Sequence, residues 1–258
     1  MKKLIALLLA LTVVLAFAAC APADSNTTTA AADDTTAAVN DTTAAADDTT
    51  AAAGDVTVMT YAEYEAAAME AEVTIEAYVQ ATQSWWENKI TVYTQDADGA
   101  YFIYEMACSE EDAAKLVPGT KIRVNGFKGE WAGEVEIMDA TFEFVEDADT
   151  FVAEALDVTD LLGTDDLIKH QNKLVSFKGL TVKKIEYKNG EPGDDIYVTV
   201  AKGDNEYSFC VERYLTGPDT DVYKAVGELK EGDVVDVTGF LYWYEGVNTH
   251  ITAVAAAQ

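Results

Sequence analysis

The sequence predicts an all-β protein with short helices, built as two tandem five-stranded barrels behind an export leader and a disordered tether. Three observations carry this. A glycine-spaced unit occurs twice: Gly119, Gly126 and Gly133 are seven apart, and so are Gly232, Gly239 and Gly246. Residues around these glycines alternate in polarity with period two, Ile122, Val124 and Gly126 facing one way and Lys121, Arg123 and Asn125 the other. Upstream of each glycine set, three strand-like runs and one helical stretch come in the same order.

In the first copy, strands are expected over Val73–Thr82, Lys89–Gln95 and Ala100–Met106. Ser109 followed by Glu110, Glu111 and Asp112 then reads as an N-cap and an acidic first helical turn. Pro118 and Gly119 end that helix ahead of the fourth strand. In the second copy, strands are expected near Leu174–Ile185, Asp195–Ala201 and Glu206–Val211, a helix near Asp219–Val226, and the last two strands near Val234–Tyr242 and Val247–Val254. Gly179 would let the long first strand bend. Each copy opens with a helical preamble: a capping box at Thr60-Tyr61-Ala62-Glu63, and a less regular counterpart over Asp157–His170. Five strands with a helix between the third and fourth is the order of the OB-fold, a small Greek-key barrel. The chain accordingly divides into 1–20, a leader; 21–55, a linker; and barrels over 56–148 and 149–258.

The leader carries Lys2 and Lys3 ahead of an apolar run from Leu4 to Ala19, shorter than the roughly 20 residues of a spanning helix. In the linker, Ala, Thr and Asp make up 29 of 35 residues, in four near-copies of TTAAADD beginning at Thr28, Thr35, Thr42 and Thr49. No copy offers a large apolar pair for a coiled-coil seam, so the segment reads as a flexible tether of about 30–35 Å. Its threonines are compatible with glycosylation.

The run Phe17-Ala18-Ala19-Cys20 resembles the lipobox of bacterial lipoproteins, although Phe17 stands where Leu is usual. That resemblance implies cleavage before Cys20, lipidation of its thiol, and anchoring to the outer face of the cell membrane. With YTQDADGAYFIYEMACSEED and PGTKIRVNGFKGEW, the whole chain resembles bacterial surface lipoproteins with tandem OB-fold domains, a largely uncharacterised group. The resemblance speaks to fold and placement far more than to activity.

The formal charge is −29, and both copies share it: five basic against 19 acidic side chains in 56–148, ten against 20 in 149–258. Such a surface repels a phosphate backbone, so nucleic acid is an unfavoured partner, and neutral or cationic ligands are favoured. No GxSxG, P-loop, HExxH or CxxC motif occurs, and with two His and three Cys no metal or cofactor set is evident. The expectation is a non-enzyme with no cofactor. Asp96-Ala97-Asp98-Gly99 reads as a hairpin turn, Cys108 and Cys210 as either a bridge or two buried thiols, and His170 and His250 as surface or rim residues.

OB-folds usually bind on the face of strands two and three, between the one–two and four–five loops. By alternation, Val73, Ile75, Ala77, Val79, Ile90, Val92, Phe102, Tyr104 and Met106 point inward. Tyr78, Gln80, Thr91, Tyr93, Gln95, Tyr101 and Glu105 point outward. The candidate ligand platform is therefore Trp85, Trp86, Tyr93, Tyr101 and Trp131, with Trp243 and Tyr244 a secondary set in the second copy. Flat rings there suit sugar faces, bases or apolar peptide side chains, so an oligosaccharide, a peptide or an envelope component is the expected ligand. The same rings would equally cover the barrel or dock it on its twin, in a structural or assembly role.

Overall fold

A computed structural model describes residues 57–257. The leader, the linker and Cys20 lie outside the described residues.

The first barrel comprises β1 (Glu72–Thr82), β2 (Lys89–Gln95), β3 (Ala100–Ala107), β4 (Lys121–Trp131) and β5 (Glu134–Phe144), with α1 (Tyr61–Ala66) before it and α2 (Glu110–Ala113) between β3 and β4. It closes in the order β1-β2-β3-β5-β4, with β1 also paired to β4. All neighbours are antiparallel except β3 and β5, which run parallel at Phe102–Glu136 and Ile103–Ile137. This is the OB-fold ring. Its interior is filled by Val73, Ile75, Ala77, Val79, Ile90, Val92, Ile122 and Val124, as alternation requires.

The second copy comprises β6 (Leu156–Asp157), β7 (Leu174–Tyr187), β8 (Ile196–Lys202), β9 (Asn205–Val211), α3 (Asp221–Glu228), β10 (Val234–Phe240) and β11 (His250–Ala256). The sheet order is β10-β11-β9-β8-β7-β6, and β10 also pairs with β7. Its last five strands thus repeat the ring of the first barrel. The seam between β9 and β11 is thin, a single parallel pair at His250–Cys210. The helical preamble expected over Asp157–His170 is instead the short strand β6, parallel to β7, followed by 3₁₀ turns at Thr159–Leu161 and Leu167–His170.

The middle glycine of each repeat has a steric reason. Gly126 and Gly239 sit where β4 and β10 shift register against β5 and β11. A Cβ on Gly126 would meet the Met138 carbonyl oxygen at 2.8 Å, and one on Gly239 would overlap the His250 carbonyl. The two strands approach there more closely than any side chain permits. Gly179, at φ +65°, lies in the β7 bulge opposite Asp236 and donates its N–H to that carboxylate at 2.8 Å.

One expectation of facing is overturned. On β3, Tyr104 and Glu105 together oppose the single residue Thr91, because the pairing runs Val92–Ile103 and then Ile90–Met106. Glu105 adopts φ +44° and donates its N–H to Thr91 Oγ1 at 3.1 Å. One extra residue reverses the alternation on its N-terminal side. Tyr101 and Ile103 therefore point into the barrel, while Phe102 and Tyr104 point out. Tyr101 is 1% exposed, in edge contact with Tyr61 and Tyr64 of α1. It is a core residue and not part of a ligand platform.

α1 closes that end of the barrel. Thr60 and Glu63 form the reciprocal capping box, and at the other end Lys128 donates to the carbonyls of Tyr64, Glu65 and Ala67 at 2.9, 2.9 and 3.0 Å. A buried ammonium thus satisfies carbonyls left free at the helix end.

Candidate functional site

The two barrels pack against each other through Tyr93, Phe102 and Phe240, with Ala81, Leu174, Leu215 and Tyr242 around them. Tyr93 points out of its own barrel, as alternation predicts, but it is 1% exposed. Its ring stacks on Phe240 at 4.5 Å, and its hydroxyl lies 2.6 Å from His250 Nδ1. Of the two readings that alternation left open for this ring, docking on the twin holds: the second barrel covers it, so Tyr93 is unavailable as a platform. Polar ties surround this apolar centre. Ser84 N–H donates to Tyr214 O at 2.8 Å, Leu174 N–H to Gln95 Oε1 at 2.9 Å, and Glu245 N–H to Ala132 O at 2.7 Å. Gln171 donates to Gly133 O at 2.8 Å and to Glu134 Oε2 at 3.1 Å.

Beside this contact a cleft of about 970 Å³ opens between the barrels. It is walled by the β2–β3 face of one and the β8–β9 face of the other, so the usual ligand faces of two OB-folds look into one space. Trp86, Tyr104, Tyr214 and Tyr244 line it and are exposed by 70, 44, 52 and 51%. Trp86 owes its position to a two-residue hairpin turn in which Glu87 and Asn88 both have positive φ, with Trp86 and Lys89 exchanging backbone hydrogen bonds. Tyr104 reaches the cleft because of the β3 bulge.

The charges in the cleft are largely compensated within it. Lys89 pairs with Glu105 at 2.8 Å, and Arg213 lies over the Tyr214 ring at 5.0 Å. Glu212 accepts the N–H groups of Tyr214 and Leu215 at 3.0 and 2.8 Å, yet burial outweighs these bonds and pushes its carboxyl up to about 7. His250, 6% exposed, lines the floor and stacks on Tyr242 at 4.2 Å; burial pushes its imidazole down to about 3, so it is neutral. Cys108 and Cys210 are both free thiols, and burial raises the Cys108 thiol to about 11 and the Cys210 thiol, which lines the cleft, further still. Neither is an activated nucleophile. Among the described residues, no three His, Cys, Asp or Glu side chains converge as a metal site.

Of the residues singled out from sequence, Trp86 and Tyr244 line the cleft. Trp85 is half-buried, its indole N–H donating to Cys108 O at 2.9 Å. Trp131 is 62% exposed on the β4–β5 turn and is not among the cleft residues. Trp243 is half-buried over the core of the second barrel, and its backbone N–H donates to Glu134. Tyr197 and Tyr242, the first on the outward face of the second strand and the second in the four–five turn, also line the cleft; Tyr104, Tyr214, Asn248 and His250 are cleft residues that sequence reasoning missed. Nothing local marked Tyr214 or His250, whose place depends on how the barrels dock.

No protein family matches the chain, and no curated protein matches it. Among solved structures, it is similar to a murine DNA-binding protein bound to double-stranded DNA, at 14% identity over 72% of this chain and 96% of that one, with a TM-score of 0.37. It is similar to the p202 HIN1 domain in complex with a 12-mer double-stranded DNA, at 13% identity over 70% and 88%, TM-score 0.34. A third likeness is to asparaginyl-tRNA synthetase from Pyrococcus horikoshii complexed with asparaginyl-adenylate, at 18% identity over 33% of this chain and only 19% of the synthetase, TM-score 0.27. Scores of this size say nothing about what this chain binds.

Proposed function

We propose that this chain is an exported, non-catalytic binding protein, anchored through a lipidated Cys20, whose paired barrels capture an oligosaccharide, a peptide or an envelope component in the cleft between them. The observation that carries this reading is the cleft itself, in which two β-faces of the kind that OB-folds use for ligands converge with four exposed aromatic rings. Its compensated charges favour a ligand without net negative charge. The acidic balance of both barrels opposes nucleic acid, the alternative that the fold suggests.

Calorimetry of the full chain with soluble neutral oligosaccharides, uncharged peptides and single-stranded oligonucleotides tests this. Trp86→Ala and Tyr214→Ala each weaken binding roughly tenfold, as loss of a stacking contact worth about 1–1.5 kcal/mol implies. Binding that neither change affects removes the site. The anchor is tested separately: Cys20→Ala moves the protein from the detergent phase to the aqueous phase, and an unchanged partition contradicts lipidation at that residue.

A further inference from the structure

The polar groups on the cleft floor are specific enough to name a ligand class. Gln83 Nε2 donates to the Tyr93 hydroxyl oxygen at 3.2 Å. With its oxygen accepting from Gln83, the hydroxyl uses its own proton by donating it to His250 Nδ1, 2.6 Å away, the direction on which the proposal below is built. In that direction the neutral imidazole carries its proton on Nε2. Among the described residues Nε2 has no hydrogen-bond partner, although the side chain is 94% buried by its 6% exposure and lines the cleft. Two residues earlier, Asn248 also lines the cleft, and its Oδ1 is buried with no partner. A donor that opens on the cleft and a buried acceptor are therefore left unpaired beneath a rim of four aromatic rings, and the buried acceptor costs stability unless something completes it.

We propose that this floor recognises a neutral saccharide, His250 Nε2–H donating to a sugar oxygen and Asn248 Oδ1 accepting from a sugar hydroxyl, while Tyr93 of the opposite barrel acts as the positioning residue for His250. The proposal rests on the cleft reading above. A pyranose is the ligand class that joins a flat C–H face to hydroxyls able both to donate and to accept. A peptide binding by strand addition needs an open sheet edge; β2, β3 and β8 have strands paired on both sides, and β9 meets β11 at the single pair His250–Cys210, so only its stretch before Cys210 offers an edge. A nucleic acid would bring its phosphates against the three carboxyls of Glu105, Asp195 and Glu212, opposed by only two cations, Arg213 and the already paired Lys89. The recognition unit is shared between barrels, since His250 belongs to one and the group that orients it to the other.

The chain has two histidines, so its imidazole ¹⁵N spectrum is simple. The test titrates the full chain with neutral tetrasaccharides (β-1,4-linked glucose, α-1,4-linked glucose, β-1,4-linked N-acetylglucosamine) and reads His250 and the dissociation constant. The free protein shows His250 as the Nε2–H tautomer, and at least one saccharide shifts that nitrogen. Tyr93→Phe, which keeps the stack on Phe240, weakens binding about tenfold and frees the tautomer; Asn248→Ala weakens it comparably and serves if Tyr93→Phe does not fold. If a saccharide binds and Trp86→Ala weakens it, but Tyr93→Phe and Asn248→Ala leave affinity and the His250 signal unmoved, the floor assignment is wrong and the cleft reading stands. If only a peptide or an oligonucleotide binds in the cleft, the carbohydrate assignment is wrong and the cleft remains a site. If no probe of any class binds, both fall.

Discussion

Glu134 of the first barrel accepts the backbone N–H of Trp243 from the second, at 2.8 Å from Oε2. The same oxygen receives Gln171, while Oε1 is buried without a partner. Burial drives this carboxyl well above the usual range, and nearby Glu136 adds to the rise. A neutral side chain with one good acceptor oxygen is therefore what the junction favours. Glu134→Gln keeps the acceptor without the charge and leaves stability equal or greater at pH 8. Glu134→Ala strands the donors of Trp243 and Gln171 and costs about 1–3 kcal/mol. Urea denaturation of the two variants checks both outcomes.

The pH dependence follows from the same carboxyls. Burial raises Glu136 and Glu212 from 4.5 to about 7. A carboxyl with a raised folded pKa holds more protons folded than unfolded, so its contribution is full below about 4.5 and is lost as pH rises through 7. His250 acts in the opposite sense: its folded value of about 3 lies below 6.5, so the unfolded chain binds the extra proton and stability is lost as pH falls from 6.5 toward 3. Above pH 6.5 only the carboxyls remain, and the melting temperature falls from pH 6.5 to 8. Glu136→Gln flattens that decline; an unaltered slope in this variant contradicts the assignment.

Lys128 makes the end of α1 dependent on a side chain 61 or more residues away. Lys128→Met keeps the aliphatic stem but leaves three carbonyls without their donor, and costs about 1–3 kcal/mol. Hydrogen exchange over residues 60–67 rises in this variant well beyond the change elsewhere in the first barrel. Uniform acceleration across both barrels is the contrary result.

The glycine repeat predicts an order among three substitutions. At Gly239 an added Cβ collides with the backbone of His250, so Gly239→Ala is strongly destabilising and disturbs the floor of the cleft. Gly126→Ala follows, because its contact with the Met138 carbonyl can relax only by parting β4 from β5. At Gly179 nothing lies within 4 Å, and only the positive φ resists, a cost of about 1 kcal/mol. Thermal unfolding of the three variants ranks them.

The order of the five strands in each copy was legible in sequence because it rests on local signals: period-two alternation, glycine at bulges, and caps at Thr60 and Ser109; the short β6 was not, and β11 begins at His250 where Val247 was expected. The facing of β3 was not legible. Counting back from Met106 puts Phe102 and Tyr104 inside, and one bulge residue, which leaves no compositional mark, reverses them. Tyr93 was placed on the right face, but whether that face meets ligand or the twin barrel was not legible, since a docked face and a solvated face alternate alike. His250, expected at a rim, is buried for the same reason: its surroundings come from both barrels. The cleft joins residues more than 100 positions apart, such as Tyr104 and Tyr214, and no short segment encodes that.

The central claim is that one ligand lies against both barrels at once. The most direct measurement is an amide chemical-shift titration of the full chain with the tetrasaccharide that binds best. The account predicts that residues of both faces, including Tyr104 on β3 and Tyr197 on β8, shift together with a single dissociation constant while Trp131 stays unmoved. Shifts confined to one barrel, or centred on Trp131, would contradict it.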